Sequence, residues 1–126
     1  MFGRLRRRPS ALEPESRWTV VVDPERIVVR DEAGESRSIA RSDLCRVAIE
    51  TNDSGPWGMD LWWLLFGSGV RPACAFPQGA RGEQAAIDCL TALPGFDRSE
   101  MGRAMTSTDN ALFTVWTRPG EPADRA

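Results

Sequence analysis

One short segment constrains this chain more than any other: Asp60-Leu61-Trp62-Trp63-Leu64-Leu65-Phe66, in which every residue after the aspartate is apolar. In a β-strand successive side chains point to opposite faces, so this segment would carry large apolar side chains on both faces. The two sets are Leu61, Trp63 and Leu65 on one face and Trp62, Leu64 and Phe66 on the other. A strand that is apolar on both faces is covered on both faces. The core would cover one face, and a helix, a loop or a second subunit would cover the other.

A turn-rich acidic segment, residues 52–58, precedes this strand. Residues 52–56 are Asn-Asp-Ser-Gly-Pro, and all five types favour turns, because their side chains bond nearby backbone, accept positive φ or fix φ. We therefore predict a rigid loop, with Trp57 beside two carboxylates. Exposed aromatic side chains often mark interfaces. The candidate binding surface is Asn52, Asp53, Trp57, Asp60 and Trp62. The simpler alternative is that the strand tryptophans only fill space, one on each face.

The same loop offers a weaker possibility of metal or acid–base chemistry. Asp53 and Asp60 could bind a divalent cation or act as acid and base, with oxygens from Asn52 and Ser54 nearby. This set falls short of a full ligand shell, and the spacing matches no calcium loop. The alternative is structural, with Asp53 building an Asx-type turn and Asp60 anchoring loop backbone N–H groups.

Composition moves the prediction away from catalysis. The 126 residues carry a formal net charge of -2, which does not point to nucleic acid or an anionic membrane. The sequence contains no His, no Tyr and no Lys. It therefore lacks the commonest general base, the commonest neutral metal ligand and a Schiff-base nucleophile. We predict no cofactor, no metal and no catalytic residue, although carboxylates, Cys, Ser, Thr and Arg leave an enzyme possible.

The three cysteines, Cys45, Cys74 and Cys89, form no CxxC pair. An odd count without a secretory signal fits a reducing compartment. Each lies at a position that the local pattern assigns to the core, so we predict three small buried side chains.

Local signals divide the chain into an arm, a domain and a tail. Residues 1–16 hold Arg4, Arg6, Arg7 and Arg8 with two prolines, and we predict a disordered basic arm. Residues 17–118 form a single domain, and residues 119–126 a disordered tail. Alternation and turn residues predict strands over 18–22, 26–30, 36–40, 45–51, 60–66, 71–76 and 111–117. Helical patterns predict a short turn at 41–44, a helix over 83–93 and a second helix that Asp97 caps.

Short hairpin-linked strands with late helices are typical of an α+β fold. We predict a strongly bent antiparallel sheet or roll of six to seven strands, with one or two helices before a final strand. This architecture resembles a pleckstrin-homology-like (PH-like) roll, except that the usual roll ends in its helix.

A second resemblance comes from scattered motifs within residues 18–118. They are Glu50-Thr51, Gly55-Pro56-Trp57, Asp60-Leu61-Trp62-Trp63, Phe76-Pro77, Leu93-Pro94-Gly95-Phe96-Asp97, Ala104-Met105 and residues 110–116. Taken as a set, they resemble a family of small uncharacterised bacterial proteins. The resemblance implies a bacterial, cytoplasmic, single-domain protein and carries no activity.

Three functions stay open on the sequence alone. The favoured one is a non-enzymatic binding or protein-interaction module that self-associates or binds a protein partner, without nucleic acid or membrane. The second is a carboxylate-based enzyme or metal-binding protein that uses Asp53 and Asp60. The third is an immunity-type or regulatory partner of another bacterial protein.

Overall fold

The structure is a computed structural model that describes residues 17–55 and 58–120, without the side chains of residues 53–55 and 58–60. The predicted basic arm (1–16), residues 121–126 of the predicted tail, and Pro56 and Trp57 lie outside the described residues. The strands are β1 (Thr19–Val22), β2 (Arg26–Arg30), β3 (Ser36–Ala40), β4 (Arg46–Gly55), β5 (Gly58–Phe66), β6 (Cys74–Pro77) and β7 (Ala111–Thr117). The helices are a 3-10 turn (Arg41–Asp43), α1 (Glu83–Thr91) and α2 (Arg98–Thr106).

The first three strands form an antiparallel sheet in the order β1-β2-β3. Two aspartates build its turns. Asp23 Oδ1 accepts hydrogen bonds from the backbone N–H groups of Glu25 at 2.8 Å and Arg26 at 2.7 Å. Asp31 Oδ1 accepts from Ala33 at 2.9 Å and Glu35 at 3.0 Å. Carboxylates that bond the backbone two to four residues ahead favour tight turns, which is why this sheet follows the sequence so closely.

The other four strands form a second antiparallel sheet in the order β6-β5-β4-β7. The α+β class, the antiparallel pairing and the final strand after two helices are thus confirmed in the part of the chain that is described. The strands belong to two open sheets, whereas the sequence predicted one strongly bent sheet. The 3-10 turn separates β3 from β4, and the Arg118 guanidinium fixes this turn by donating to the carbonyls of Ser42 and Leu44.

The core lies between the two sheets and the helices. β2 and β3 lie against β6, α1 packs along β1, and α2 packs on β7 and β4. Trp63 and Phe76 stack at the centre, with ring centroids 6.2 Å apart and planes 6° apart. The side chains that the four-stranded sheet contributes to the core are those of Val47, Ile49, Leu61, Trp63, Leu65, Cys74, Phe76, Phe113, Val115 and Trp116. We call the side of the sheet that faces this core its inner face, and the opposite side its outer face.

Both helices begin and end on local signals. Asp97 caps α2, because its Oδ1 accepts from the backbone N–H of Glu100 at 2.9 Å, as predicted. α1 ends at Thr91, two residues before the predicted end, and the following turn holds Pro94, whose carbonyl accepts from Trp116 Nε1 at 2.8 Å. Neither helix of the described segments is long and apolar enough to cross a bilayer.

Two strands, β6 and β7, differ from the sequence prediction. β6 begins at Cys74 and ends at Pro77, whereas the sequence predicted a strand over 71–76, so the connection between β5 and β6 is longer than predicted. In β7 the register shifts between Val47 and Ala48 of β4, which leaves Val115 as the extra residue of a β-bulge. Val115 and Trp116 are therefore both buried, although strict alternation predicts opposite faces.

Candidate interaction surface

Strand β5 places one tryptophan on each face of the sheet, as the sequence predicts. On the inner face Trp63 is 1% exposed and Leu65 is 0% exposed. On the outer face Trp62 and Leu64 are only partly buried. Phe66 is the exception there, because the guanidinium of Arg46 lies over its ring at 4.0 Å from the centroid. The described part of the domain thus seals one face of β5 and covers the other incompletely.

The outer face combines an apolar centre with opposite charges at its ends. On β4, Arg46, Ala48 and Glu50 alternate with core residues and therefore share this face. Leu64 lies beside Ala48 in the register, and Leu112 of β7 lies beside Glu50 on the other side. Leu112 is 53% exposed, so the apolar part of this face extends onto β7.

A cleft of about 200 Å³ opens where Trp62 meets the first sheet. Trp18, just before β1, packs edge-on against Trp62, with ring centroids 5.1 Å apart and planes at 87°. Edge-to-face geometry is a favoured arrangement for an aromatic pair. The residues lining this Trp18–Trp62 cleft are Trp18, Val29, Asp31, Glu35, Arg37, Trp62, Pro72, Cys74 and Ala75.

The charged side chains at the cleft differ in whether they already have a partner within the domain. Asp31 is occupied by the β2–β3 turn, as described above. Glu35 and Arg37 are exposed, and the structure records no salt bridge between them and other described residues. The cleft therefore offers an apolar, aromatic interior with one free carboxylate and one free guanidinium at its rim.

Cys74 lines the cleft without being a reactive thiol. Its side chain is 2% exposed, and burial raises the pKa of the thiol from 9.0 to about 11, with the nearby Arg37 charge opposing that rise. The thiol keeps its proton at neutral pH, so it is a poor nucleophile. Cys45 and Cys89 are partly exposed, and neither belongs to the core cluster, so the prediction that all three cysteines are core residues holds only for Cys74.

The five residues of the predicted binding surface are divided by the structure. Asn52 of β4 pairs in register with Asp60 of β5, so these two lie side by side across the ladder. Asp53 lies one residue further along β4, Trp57 lies outside the described residues, and Trp62 is in the cleft. The predicted loop over 52–58 is wrong in its extent, because β4 continues to Gly55 and β5 begins at Gly58. Pairing between the two strands of this hairpin overrides the turn preferences, and its register is irregular only between Asn52 and Gly55.

Thr51 fixes the base of this hairpin, a role that the sequence does not reveal. It is 1% exposed, and its Oγ1 donates to the carbonyl of Asp109 at 2.6 Å. This bond ties the connection between α2 and β7 to β4. Only the connection before β7, 58 residues later in the sequence, explains why a buried threonine is stable here.

The described residues contain no group of three or more Cys, Asp or Glu side chains close enough to hold a metal ion together. The side chains of Asp53 and Asp60 lie outside the description, so their pairing as metal ligands or as acid and base stays a prediction.

Comparison of the chain with protein family models, with curated proteins and with solved structures gave no match.

Proposed function

We propose that this protein is a non-enzymatic protein-interaction module, and that the Trp18–Trp62 cleft receives an apolar or aromatic side chain of a partner protein. The observation that carries the proposal is the partly exposed Trp62 within an aromatic cleft whose rim holds Glu35 and Arg37, both exposed and without a salt bridge to any other described residue. Tryptophan and arginine are the side chains that most often dominate binding energy at protein interfaces.

The size of the cleft supports a single side chain as its occupant. A cavity of about 150 Å³ is enough to hold a benzene ring. The cleft has about 200 Å³, so one aromatic or branched aliphatic side chain would fill it. Glu35 and Arg37 would then pair with charges that flank this side chain on the partner.

The resemblances drawn from the sequence belong to the same proposal. A PH-like roll, a place in a family of small bacterial proteins and a cytoplasmic location are consistent with a small interaction domain. An immunity-type or regulatory partner of another bacterial protein is one form of this function. The carboxylate-based alternative at Asp53 and Asp60 is less favoured, because the chain has no His or Lys to support it.

The proposal is tested by selecting peptides from a phage-displayed library of random peptides on the immobilised full-length protein. We expect enriched peptides with an aromatic or aliphatic anchor beside a charged residue. Their affinity should fall about tenfold or more in Trp62→Ala and should change in Glu35→Lys, because the anchor and the rim charge are lost.

Met105→Ala is the matched control. Met105 is 42% exposed on α2, which packs on β7 and β4, whereas the cleft residues of this sheet lie on β5, on β6 and just before β6. Its affinity for the selected peptides should equal that of the wild type. Thermal unfolding of each variant separates lost binding from lost folding. A selection that enriches nothing above background, or peptides that bind Trp62→Ala and Glu35→Lys as tightly as the wild type, would contradict the proposal.

A further inference from the structure

We infer that the outer face of the four-stranded sheet is a self-association surface, on which a second copy of this chain packs face to face about a two-fold axis. This inference goes beyond the proposed function, because it concerns a different partner and a larger surface, which shares Trp62 with the cleft. It rests on the order of side chains along β4, where Arg46, Ala48 and Glu50 share the outer face.

The charges on this strand are complementary to their own reversed copy. Arg46 and Glu50 lie four residues apart, which is roughly 14 Å along a strand, with the small Ala48 midway. Take a two-fold axis that lies between two such sheets and crosses β4 at right angles above Ala48. It brings Arg46 of each copy over Glu50 of the other. A self-complementary patch of this kind is what a two-fold interface requires.

The apolar side chains obey the same symmetry. Leu64 is level with Ala48 in the register, so it would lie near the axis and pack against its own counterpart. Trp62 is level with Glu50 and Phe66 with Arg46, so each would face the other across the interface. Leu112, also level with Glu50 and 53% exposed, would be covered at the margin. The second copy would therefore shelter Trp62, Leu64 and Leu112, which one chain leaves partly open, whereas Ala48 and Phe66 are already buried by their neighbours.

The available area predicts a weak dimer. From Arg46 to Asn52 the face is roughly 20 Å long, and four strands are roughly 19 Å wide, which gives roughly 400 Å² of sheet for each copy. Two such faces bury roughly 800 Å², below the roughly 1,200–2,000 Å² of stable complexes. We therefore expect association in the micromolar range or weaker, and salt should weaken it because charge pairs contribute.

Charge exchange between positions 46 and 50 tests this arrangement by sedimentation velocity on the full-length protein over a concentration series. Arg46→Glu and Glu50→Arg alone each place like charges opposite one another, so each should weaken association by about tenfold or more. An equimolar mixture of the two variants restores both opposite-charge contacts and should associate about as tightly as the wild type. The double variant Arg46→Glu/Glu50→Arg should do the same with itself.

Two further variants keep the test decisive if Arg46→Glu loses stability with its contact to Phe66. Leu112→Glu should abolish association, because it places a charge in the apolar margin. Val70→Glu should leave association unchanged, since Val70 is 80% exposed in the connection before β6. A wild-type protein that stays monomeric at millimolar concentration would overturn the inference. A dimer that tolerates Glu50→Arg and Leu112→Glu would also overturn the inference. Peptide binding at the cleft is measured separately on the same variants.

Discussion

Leu64 and Leu65 are adjacent, identical in type and on opposite faces of β5, so their replacement by alanine measures the difference between the two faces. Leu65 is 0% exposed on the inner face, between Val47 and Cys74 in the register. Removing its side chain leaves a cavity that a packed core fills only in part. Leu65→Ala should therefore lower the free energy of unfolding by about 3 kcal/mol, within the usual range for buried leucines.

Leu64→Ala should cost much less, about 1 kcal/mol, because a partly exposed side chain loses less burial and leaves a dent open to water. Its register neighbours, Ala48 and Ala75, are too small to enclose a cavity. With about 4 °C of melting temperature per kcal/mol for a domain near this size, the expected shifts are about 12 °C and about 4 °C.

The assay is urea and thermal unfolding followed by far-ultraviolet circular dichroism at about 1 μM protein. A dimer with a Kd near 1 μM would still hold about half of the protomers at this concentration, so the melts are repeated at about 10 μM to show whether association contributes. Circular dichroism is preferable to tryptophan fluorescence, since Leu64 and Leu65 follow Trp62 and Trp63 directly in the sequence. Equal costs for the two variants, or a larger cost for Leu64→Ala, would refute the assignment of a sealed inner face and an open outer face.

Two other predictions concern a glycine and the buried thiol. Gly82→Ala should destabilise the domain far more than Gly34→Ala. Both glycines have positive φ, but a Cβ at Gly82 would meet the Val20 carbonyl oxygen, whereas a Cβ at Gly34 would meet no atom. Similar losses of stability for the two variants in urea unfolding would contradict this prediction. Because burial raises the pKa of Cys74 to about 11, the folded state binds more protons than the unfolded state between pH 9 and 11. The free energy of unfolding should be unaffected by this group below pH 9 and should then fall by about 2–3 kcal/mol up to pH 11, a loss that Cys74→Ala should remove.

The strands with local signals were predictable from the sequence. β2, β3 and β7 begin and end as predicted, because Asp23 and Asp31 build the turns of the first sheet and alternation marks the last strand. The Asp97 cap of α2 was equally accessible, since a cap depends on residues only three positions apart.

Features that depend on strand pairing or on distant partners were not predictable in the same way. The turn-forming residues at 52–55 extend β4, because the strand pairs with β5 at Asn52 and again at Gly55. Val115 and Trp116 are both buried because of a bulge that the pairing with β4 creates. The 3-10 turn between the two sheets is held by Arg118, which is 74 residues from the Leu44 carbonyl that it contacts.

The candidate site was predicted only in part. Trp62 belongs to the cleft and Asn52 pairs with Asp60, but Trp18, Glu35 and Arg37 were not connected to Trp62 by any spacing in the sequence. Of these three residues, only Trp18 was singled out by the sequence, as the first residue of a predicted strand. A cleft between two sheets draws its residues from several strands, and a single sequence does not show which strands meet.

Residue-resolved oxidation of the tryptophans tests the central claim most directly, that β5 buries one face in its own core and leaves the other for a partner. The full-length protein at about 1 μM is exposed to a short pulse of hydroxyl radicals, and fragment mass spectrometry separates Trp62 from Trp63. Trp62 should oxidise about tenfold or more faster than Trp63, which is 1% exposed, and Trp116, which is 5% exposed. Equal protection of Trp62 and Trp63 at this concentration would contradict the claim, because the outer face would then be closed within a single chain.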